Sequence, residues 1–160
     1  MEYTQSPAMS REEIDSFLNV AQTARFCSPN EDGTIHAAPV WYKYEKGQMI
    51  IGTPEASRKA RNIKRNANAT ILVDLSEGDQ RPKDVMIYGK AEAAPSIGFG
   101  EKYPPEAVQF FQKYMPRDKA ESQARGLSKL TKWVMITVKP QRIASFDYEK
   151  DEAFRNAVRG

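Results

Sequence analysis

The sequence of 160 residues contains very few of the side chains on which several common kinds of site depend. It holds one cysteine, Cys27, which excludes an internal disulfide and fits a reducing compartment. It holds one histidine, His36, which excludes a metal site built on a histidine pair. No apolar run approaches the ~20 residues of a membrane-spanning helix. We therefore expect a cytoplasmic protein with no metal site and no membrane segment.

The single cysteine and the single histidine are better explained as structural residues than as reactive ones. Cys27 lies in the strand-like run ARFCSP without a second cysteine nearby, which favours a buried, unreactive thiol over a redox centre. His36 lies in the middle of another predicted strand, without neighbours suited to a catalytic triad. We interpret it as an ordinary residue of a barrel strand.

Positive charge is concentrated in one short stretch. The net charge is only +3, which by itself does not predict nucleic-acid binding. That function would need a broader basic surface and exposed stacking aromatics, so we expect no nucleic-acid partner. There is no acidic residue between Glu55 and Asp74, yet five cations lie in that interval. They are Arg58, Lys59, Arg61, Lys64 and Arg65.

The basic stretch TPEASRKARNIKR at 53–65 is predicted to form a helix with Ser57 as its N-cap. Arg58, Lys59 and Arg61 then fall in the first turn, where the helix dipole disfavours cations and favours anions. Two interpretations stay open from the residues alone: a bound phosphate, or a solvated basic face that meets acids from elsewhere. The apolar stripe expected to dock this helix consists of Ala60, Ile63 and Ala67.

Hydrophobic periodicity elsewhere predicts a sheet with peripheral helices. SREEIDSFLNVA opens with the capping box of Ser10 and Glu13, and PPEAVQFFQKYM also has helical spacing. Between and after them, short aromatic and β-branched runs predict six or seven mostly antiparallel strands, three of them within 24–53. Pro39 predicts an edge or a bulge, and the last run predicts one or two strands, with Pro140 as the break between them. The class is α+β with a small β-barrel.

The stretch GTIHAAPVWYKYEKGQMIIGTPEASRKARNIKRNANATILVD resembles the pyridoxamine 5'-phosphate oxidase-like split-barrel family of flavin-binding proteins. DVMIYGKAEAA and WVMITVKPQRIASFDY are similar to the later strands of that family, so the resemblance covers residues 11 to 148. It implies a six-stranded, mostly antiparallel split β-barrel with peripheral helices. The implied arrangement is a single flavin-binding domain over 1–148, followed by a C-terminal tail over 149–160.

The resemblance also implies a cofactor site. Four matching positions would hold the terminal phosphate of a flavin, which is the anion that the helix electrostatics favour: Thr53, Ser57, Arg58 and Lys59. Three more match the strand that lies along the isoalloxazine ring: Pro39, Val40 and Trp41. Trp133 would close the cleft from a partner subunit. For both tryptophans, ordinary core or dimer packing is the alternative interpretation.

The function implied is that of an FMN-dependent oxidoreductase, a homodimer with one cofactor in each of two interface clefts and an unknown small-molecule redox substrate. One alternative is a reductase that uses the deazaflavin coenzyme F-420, whose phosphate and acidic tail would suit Arg61, Lys64 and Arg65. Another is a non-catalytic flavin-binding protein, because no catalytic acid or base is evident. Asp84 replaces a glutamine of the oxidases proper, which argues against pyridoxamine phosphate oxidase activity itself.

Overall fold

The computed structural model describes residues 7–20, 23–75, 82–95 and 105–159. The strands found in these residues are β1 (Ala24–Pro29), β2 (Ile35–Val40), β3 (Lys43–Glu45), β4 (Gln48–Pro54), β5 (Asn68–Leu75), β6 (Lys83–Ala93) and β7 (Trp133–Asp147). The helices are α1 (Arg11–Asn19), α2 (Arg58–Arg65), α3 (Pro105–Gln112), α4 (Arg117–Leu130) and α5 (Glu152–Arg159), with a 3-10 turn at Tyr148–Lys150. The C-terminal tail is thus mainly helical.

All seven strands form one curled antiparallel sheet in the order β2-β1-β5-β6-β7-β4-β3. This confirms the α+β split-barrel class, although the predicted count of six strands is one too low. The segment expected to give three strands gives four, because the extended chain breaks at Trp41 and Tyr42. At the break, the hydroxyl of Tyr114 binds both backbone groups of Tyr42 in place of a neighbouring strand.

The two prolines singled out in the sequence have different outcomes. Pro39 lies in β2, which is an edge strand as predicted. Pro140 does not divide the last strand, so that prediction is wrong. β7 runs through it as one strand of fifteen residues, and the register shift that follows pairs Tyr88 with Arg142 but Gly89 with Pro140. A β-bulge therefore absorbs the proline without ending the strand.

Gly89 is needed at this bulge because the neighbouring backbone comes unusually close. A Cβ added there would lie 2.3 Å from the carbonyl oxygen of Lys139. No side chain can occupy that space without moving β7. The sequence predicted a strand here but gave no indication of the bulge.

The inner face of the sheet carries the main core, and α1 covers part of it. Fully buried side chains include Phe26, Ile51 and Ile87 from the strands and Leu18 from the helix. The predicted capping box of α1 is present, because Ser10 N donates to Glu13 Oε2 at 2.6 Å and Glu13 N donates to Ser10 Oγ at 3.2 Å. These bonds fix where the helix begins.

Helices α3 and α4 form a hairpin with a hydrophobic cluster of its own. Val108, Phe110 and Phe111 of α3 pack against Ala120 and Ala124 of α4. Partly buried residues around this cluster include Met135 of β7, which connects it to the sheet. Within the described residues, no helix is both long and apolar enough to cross a membrane.

Candidate cofactor cleft

The start of α2 brings three predicted site residues together. Ser57 is the N-cap, and its hydroxyl accepts a hydrogen bond from Ala60 N at 3.3 Å. Thr53 Oγ1, at the end of β4, donates to Ser57 Oγ at 3.1 Å and accepts from Lys59 Nζ at 3.1 Å. We call the group Thr53, Ser57 and Lys59 the cradle. It places two hydroxyls and one ammonium group beside the free N–H groups of a helix N-terminus.

Lys59 supplies the positive charge of the cradle. Its ammonium group is partly buried, and this burial lowers its pKa. Among the described residues, Thr53 is its one hydrogen-bond partner and no carboxylate lies within ion-pair distance. The helix dipole opposes a cation at this position, and the first turn of α2 contains no acid. The site therefore favours an anion.

Arg58 lies at the opening of the same helix but is exposed to solvent. It is near β2, where partial burial and the positive charges of Lys59 and Arg58 together lower the pKa of His36. His36 thus lies close to the cradle, in a neutral form near pH 7. Its position in the sequence gave no indication of this, because β2 is distant from α2 along the chain and comes near it only in the folded protein.

The other cations of α2 have partners within the chain. Arg61 donates to Ala56 O at 3.1 Å and Arg65 donates to Pro29 O at 2.7 Å. Lys64 forms an ion pair with Glu55 at 3.2 Å. The basic stretch is therefore divided into a first turn that lacks an acid and later turns whose cations have partners.

The apolar face of α2 is narrower than predicted. Ala60 and Ile63 are buried as expected, but Ala67 is exposed because the helix already ends at Arg65. Asn62 is buried beside them and donates to Ser28 Oγ at 3.1 Å and to Asn30 at 3.0 Å. These bonds fix the helix on β1, so that the cradle has a defined orientation.

Aromatic side chains form a second group of residues near the cradle. Trp41 stacks on Tyr114, with ring centroids 4.7 Å apart and planes 11° from parallel. Its ring also meets the edge of Phe111 at 6.2 Å, and 41% of Trp41 remains exposed. We call Trp41, Phe110, Phe111 and Trp133 the aromatic wall. Phe110, Phe111 and Tyr114 were not predicted as site residues, because the spacing in PPEAVQFFQKYM indicated only a helix.

The cradle and the aromatic wall border one cleft of about 270 Å³. Six of the eight predicted site residues line it: Pro39, Val40, Trp41, Thr53, Lys59 and Trp133. Ser57 adjoins it through Thr53, whereas Arg58 points to solvent at its edge. Trp133 lines the cleft of its own chain, since β7 pairs Trp133 with Pro54 of β4. No partner subunit is needed to bring it there.

Cys27 lies outside this cleft. It is on the outer face of β1 and is only partly buried, so the burial expected for this thiol is incomplete. Burial is nevertheless enough to raise its pKa, which keeps the thiol protonated and weakly nucleophilic.

The chain belongs to the pyridoxamine 5'-phosphate oxidase family, whose model matches residues 10–145. This match includes the cradle and all of the aromatic wall. The family resemblance seen in the sequence is therefore confirmed. No curated protein matches the sequence.

Solved structures show the same fold. A conserved hypothetical protein of Mycobacterium tuberculosis is 22% identical with a TM-score of 0.73, over 94% of this chain and 92% of that chain. A FAD-binding protein of Mesorhizobium loti is 16% identical with a TM-score of 0.60, over 87% and 93% of the two chains. An F420 reductase is 18% identical with a TM-score of 0.57, over 81% and 94%. At these identities the similarity establishes the fold alone.

Proposed function

We propose that this protein is an FMN-dependent oxidoreductase that acts in the cytoplasm as a homodimer. The observation that carries the proposal is the cradle, where the partly buried ammonium group of Lys59 has no acidic partner among the described residues. A phosphate there would accept hydrogen bonds from Lys59 and from the hydroxyls of Thr53 and Ser57. Arg58 would supply a second charge from the edge of the cleft.

The flavin ring would lie along Pro39, Val40 and Trp41. β2 is an edge strand of the sheet, so its outer side is not occupied by another strand. Backbone groups at such an edge are free to bind the polar rim of a ring. Trp133 would cover the ring from β7, and Trp41 is already fixed in place by its stacking on Tyr114.

When bound, the flavin supplies the redox chemistry, and the protein supplies binding and orientation. Thr53, Ser57 and Lys59 hold its phosphate end, and the aromatic wall excludes water from the ring. His36 lies near enough to the cradle for its pKa to respond to Lys59.

The homodimer is supported by apolar side chains on the outer side of the sheet. Ile35 of β2 is 63% exposed, and Ala37 and Pro39 of the same strand are also exposed. An exposed apolar edge strand is a liability for a monomer and is normally covered. Light scattering of Ile35→Glu against the wild type tests this: the proposal expects a dimer for the wild type and a monomer for the variant.

The first test of the function is the absorbance spectrum of the purified protein, followed by mass spectrometry of any molecule that heat releases. Bound FMN, or tight binding of added FMN by cofactor-free protein, is the expected result. A protein that binds no FMN in a direct titration would contradict the proposal. Oxidation of NADH or NADPH by the loaded protein then separates an enzyme from a non-catalytic flavin-binding protein.

A deazaflavin-dependent reductase is the second candidate, because an F420 reductase shares the fold. The cations suggested for the acidic tail of that cofactor are Arg61, Lys64 and Arg65. Each of them already has a partner within the chain, and this favours FMN. Tighter binding of the deazaflavin than of FMN in parallel titrations would reverse the order of the two candidates.

A further inference from the structure

Alternate side chains of β2 point to the two faces of the sheet. Ile35, Ala37 and Pro39 are exposed, whereas the residues between them are at least partly buried: His36, Ala38 and Val40. Val40 lines the cleft, and His36 stands four residues before it in the same row. His36 therefore lies on the face of the strand that carries Val40 into the cleft.

The pairing of β1 with β2 places His36 on the side of the sheet where α2 packs. His36 is the register partner of Ser28, and residues directly opposite each other in an antiparallel pair point to the same face. The buried Ser28 hydroxyl accepts from Asn62 Nδ2 of α2 at 3.1 Å. Asn62 follows Arg58 by four residues and Lys59 by three, so the three side chains share one face of the helix. The first-turn cations are therefore on the side of α2 next to the β1–β2 pair.

The charges that act on His36 are positive. Charged side chains of the neighbouring elements are Arg58, Lys59 and Arg65 of α2 and Glu31 and Asp32 of the β1–β2 turn. The Asp32 carboxylate accepts from Thr34 N at 3.0 Å and from Thr34 Oγ1 at 2.6 Å. Partial burial, Lys59 and Arg58 lower the pKa of His36, and none of the described carboxylates raises it. Among the described residues, the imidazole has no hydrogen-bond partner.

We propose that His36 is a further residue of the phosphate site, and that its imidazole takes up a proton when a phosphate dianion binds at the cradle. In the cofactor-free protein, protonation of His36 would add a third positive charge near Lys59 and Arg58, which is unfavourable. A dianion at the helix N-terminus reverses the sign of this local potential, and the imidazolium is then stabilised. The inference rests on the flavin function proposed above, because the phosphate of FMN is the dianion.

Thermodynamic linkage gives the direction of the resulting pH dependence. Between the two pKa values of His36, the FMN-bound protein holds more protons than the cofactor-free protein. FMN should therefore bind more tightly as the pH falls through the higher pKa, which is that of the bound form. The gain is complete below the lower pKa, which is that of the free form.

The test follows the imidazole itself, by NMR of protein that contains isotope-labelled histidine. His36 is the only histidine of the sequence, so its Cε1–H group gives a single resonance. We expect the pKa read from this resonance to be about one pH unit higher in FMN-loaded than in cofactor-free protein. Burial by the flavin ring would lower this pKa, so a rise identifies the charge of the phosphate. An unchanged or lower pKa would overturn the inference.

Arg58→Ala/Lys59→Ala tests the proximity of His36 to the cradle without any cofactor. Removing the two cations should raise the pKa of His36 towards its ordinary value of 6.5. Lys64→Ala/Arg65→Ala is the matched control, since it removes the same charge from the other end of α2 and should raise this pKa less. Equal rises in the two variants would show that His36 responds to general charge and does not lie beside the cradle.

His36→Gln connects the proton to FMN affinity, because glutamine is polar and of similar size but cannot be protonated. The ratio of wild-type to variant affinity cancels the titration of the FMN phosphate itself. A pKa rise of about one pH unit allows at most about a tenfold gain, so this ratio should be about fivefold larger at pH 5.5 than at pH 7.5. A ratio that does not change with pH would contradict the role of His36.

The outcomes separate this inference from the function on which it rests. If FMN binds and the pKa of His36 does not rise, His36 is not part of the phosphate site and the flavin function stands. A protein that binds no FMN overturns the proposed function, and this inference with it. The NMR comparison of loaded and cofactor-free protein uses the wild-type chain, so it does not depend on how any variant folds.

Discussion

The two sides of the cleft differ in how the chain builds them. The cradle comes from one segment, 53–59, and its three side chains bond to one another directly. The aromatic wall draws Trp41 from the break after β2, Phe110 and Phe111 from α3, and Trp133 from β7. The cradle is polar and partly charged, whereas no charged residue belongs to the wall. Local sequence therefore specifies one side, and tertiary packing specifies the other.

This difference matters for what each side can recognise. A helix N-terminus with hydroxyls and a cation suits phosphate whatever the rest of the ligand is. The wall depends on where the α3–α4 hairpin sits, and that hairpin has its own hydrophobic cluster. We infer that the cradle serves cofactor binding in general, whereas the wall determines which substrate reaches the ring.

The largest effect is expected from removing the charges at the cradle. In Arg58→Ala/Lys59→Ala, the phosphate loses two charge-assisted hydrogen bonds of at least about 1.5 kcal/mol each, so FMN affinity should fall about 100-fold. The free energy of unfolding should change by less than about 1 kcal/mol, since the helix dipole does not favour either cation. Fluorescence titration with FMN and urea unfolding measure the two quantities.

The matched control is Lys64→Ala/Arg65→Ala, which removes the same charge from the other end of α2. Its cations bind Glu55 and Pro29 O and do not line the cleft. FMN affinity should stay within about threefold of the wild type, since long-range electrostatics are screened by salt. If both double variants lose FMN equally, general positive charge is responsible and the cradle has no special role.

A smaller effect is expected when the wall is loosened at Tyr114. The hydroxyl of Tyr114 accepts from Tyr42 N at 2.7 Å and donates to Tyr42 O at 2.6 Å, and its ring supports Trp41. Tyr114→Phe keeps the stacking but frees the backbone beside Trp41. We expect FMN affinity to fall about tenfold, as the ring-binding strand loses its anchor, and the free energy of unfolding to fall by about 2 kcal/mol.

Tyr44→Phe is the control for Tyr114→Phe. It removes a hydrogen bond of the same length, from Tyr44 Oη to Asp15 at 2.6 Å, on α1 and away from the cleft. It should lower the free energy of unfolding by about 1 kcal/mol and leave FMN affinity unchanged. Wild-type FMN affinity in Tyr114→Phe would show that the wall does not position the cofactor strand.

The same contrast explains what could be predicted from the sequence. Ser57 as N-cap, the first-turn cations and the edge position of Pro39 were correct because each follows from a few neighbouring residues. The position of Phe110 in the cleft and the stacking of Tyr114 on Trp41 were missed, since helical spacing predicts a helix but not what its side chains pack against. The bulge at Pro140 was missed for a similar reason, because it depends on the partner strand β6.

The cradle should lose its ligand as the pH rises. Burial lowers the pKa of Lys59 below its ordinary value of 10.5, so cofactor-free protein loses this charge earlier than an exposed lysine would. FMN affinity should therefore fall as the pH is raised from 7.5 towards 10, because the charge-assisted bond disappears as Lys59 loses its proton. Lys59→Arg remains charged over this range, and its FMN affinity should stay flat. An equal fall of FMN affinity with pH in the wild type and in Lys59→Arg would contradict the role of Lys59.

The free energy of unfolding should increase with pH through Lys113, which lies beside the aromatic wall, whereas FMN affinity at the cradle falls. Burial lowers the pKa of Lys113 to about 8, so between pH 8 and its unfolded value of 10.5 the unfolded chain binds more protons than the folded one. The free energy of unfolding contributed by this group must therefore rise over that interval. Full burial would give about 3 kcal/mol, but Lys113 is partly exposed and its ammonium lies 3.5 Å from the Tyr42 ring centroid, which stabilises the cation. We expect about 1 kcal/mol.

Lys113→Met isolates this effect because it keeps most of the apolar stem and removes the charge. Urea unfolding at pH 7.5 and pH 10 should show that the variant lacks about 1 kcal/mol of the pH-dependent gain seen in the wild type. The bond from Lys113 Nζ to Leu18 O at 3.1 Å works against this sign, since it favours the charged form. A wild type that instead loses stability relative to Lys113→Met as the pH rises would show that this bond and the Tyr42 ring outweigh burial. A charge would then stabilise the hairpin beside the wall. Both sides of the cleft would depend on a lysine charge, and the contrast between them would be smaller.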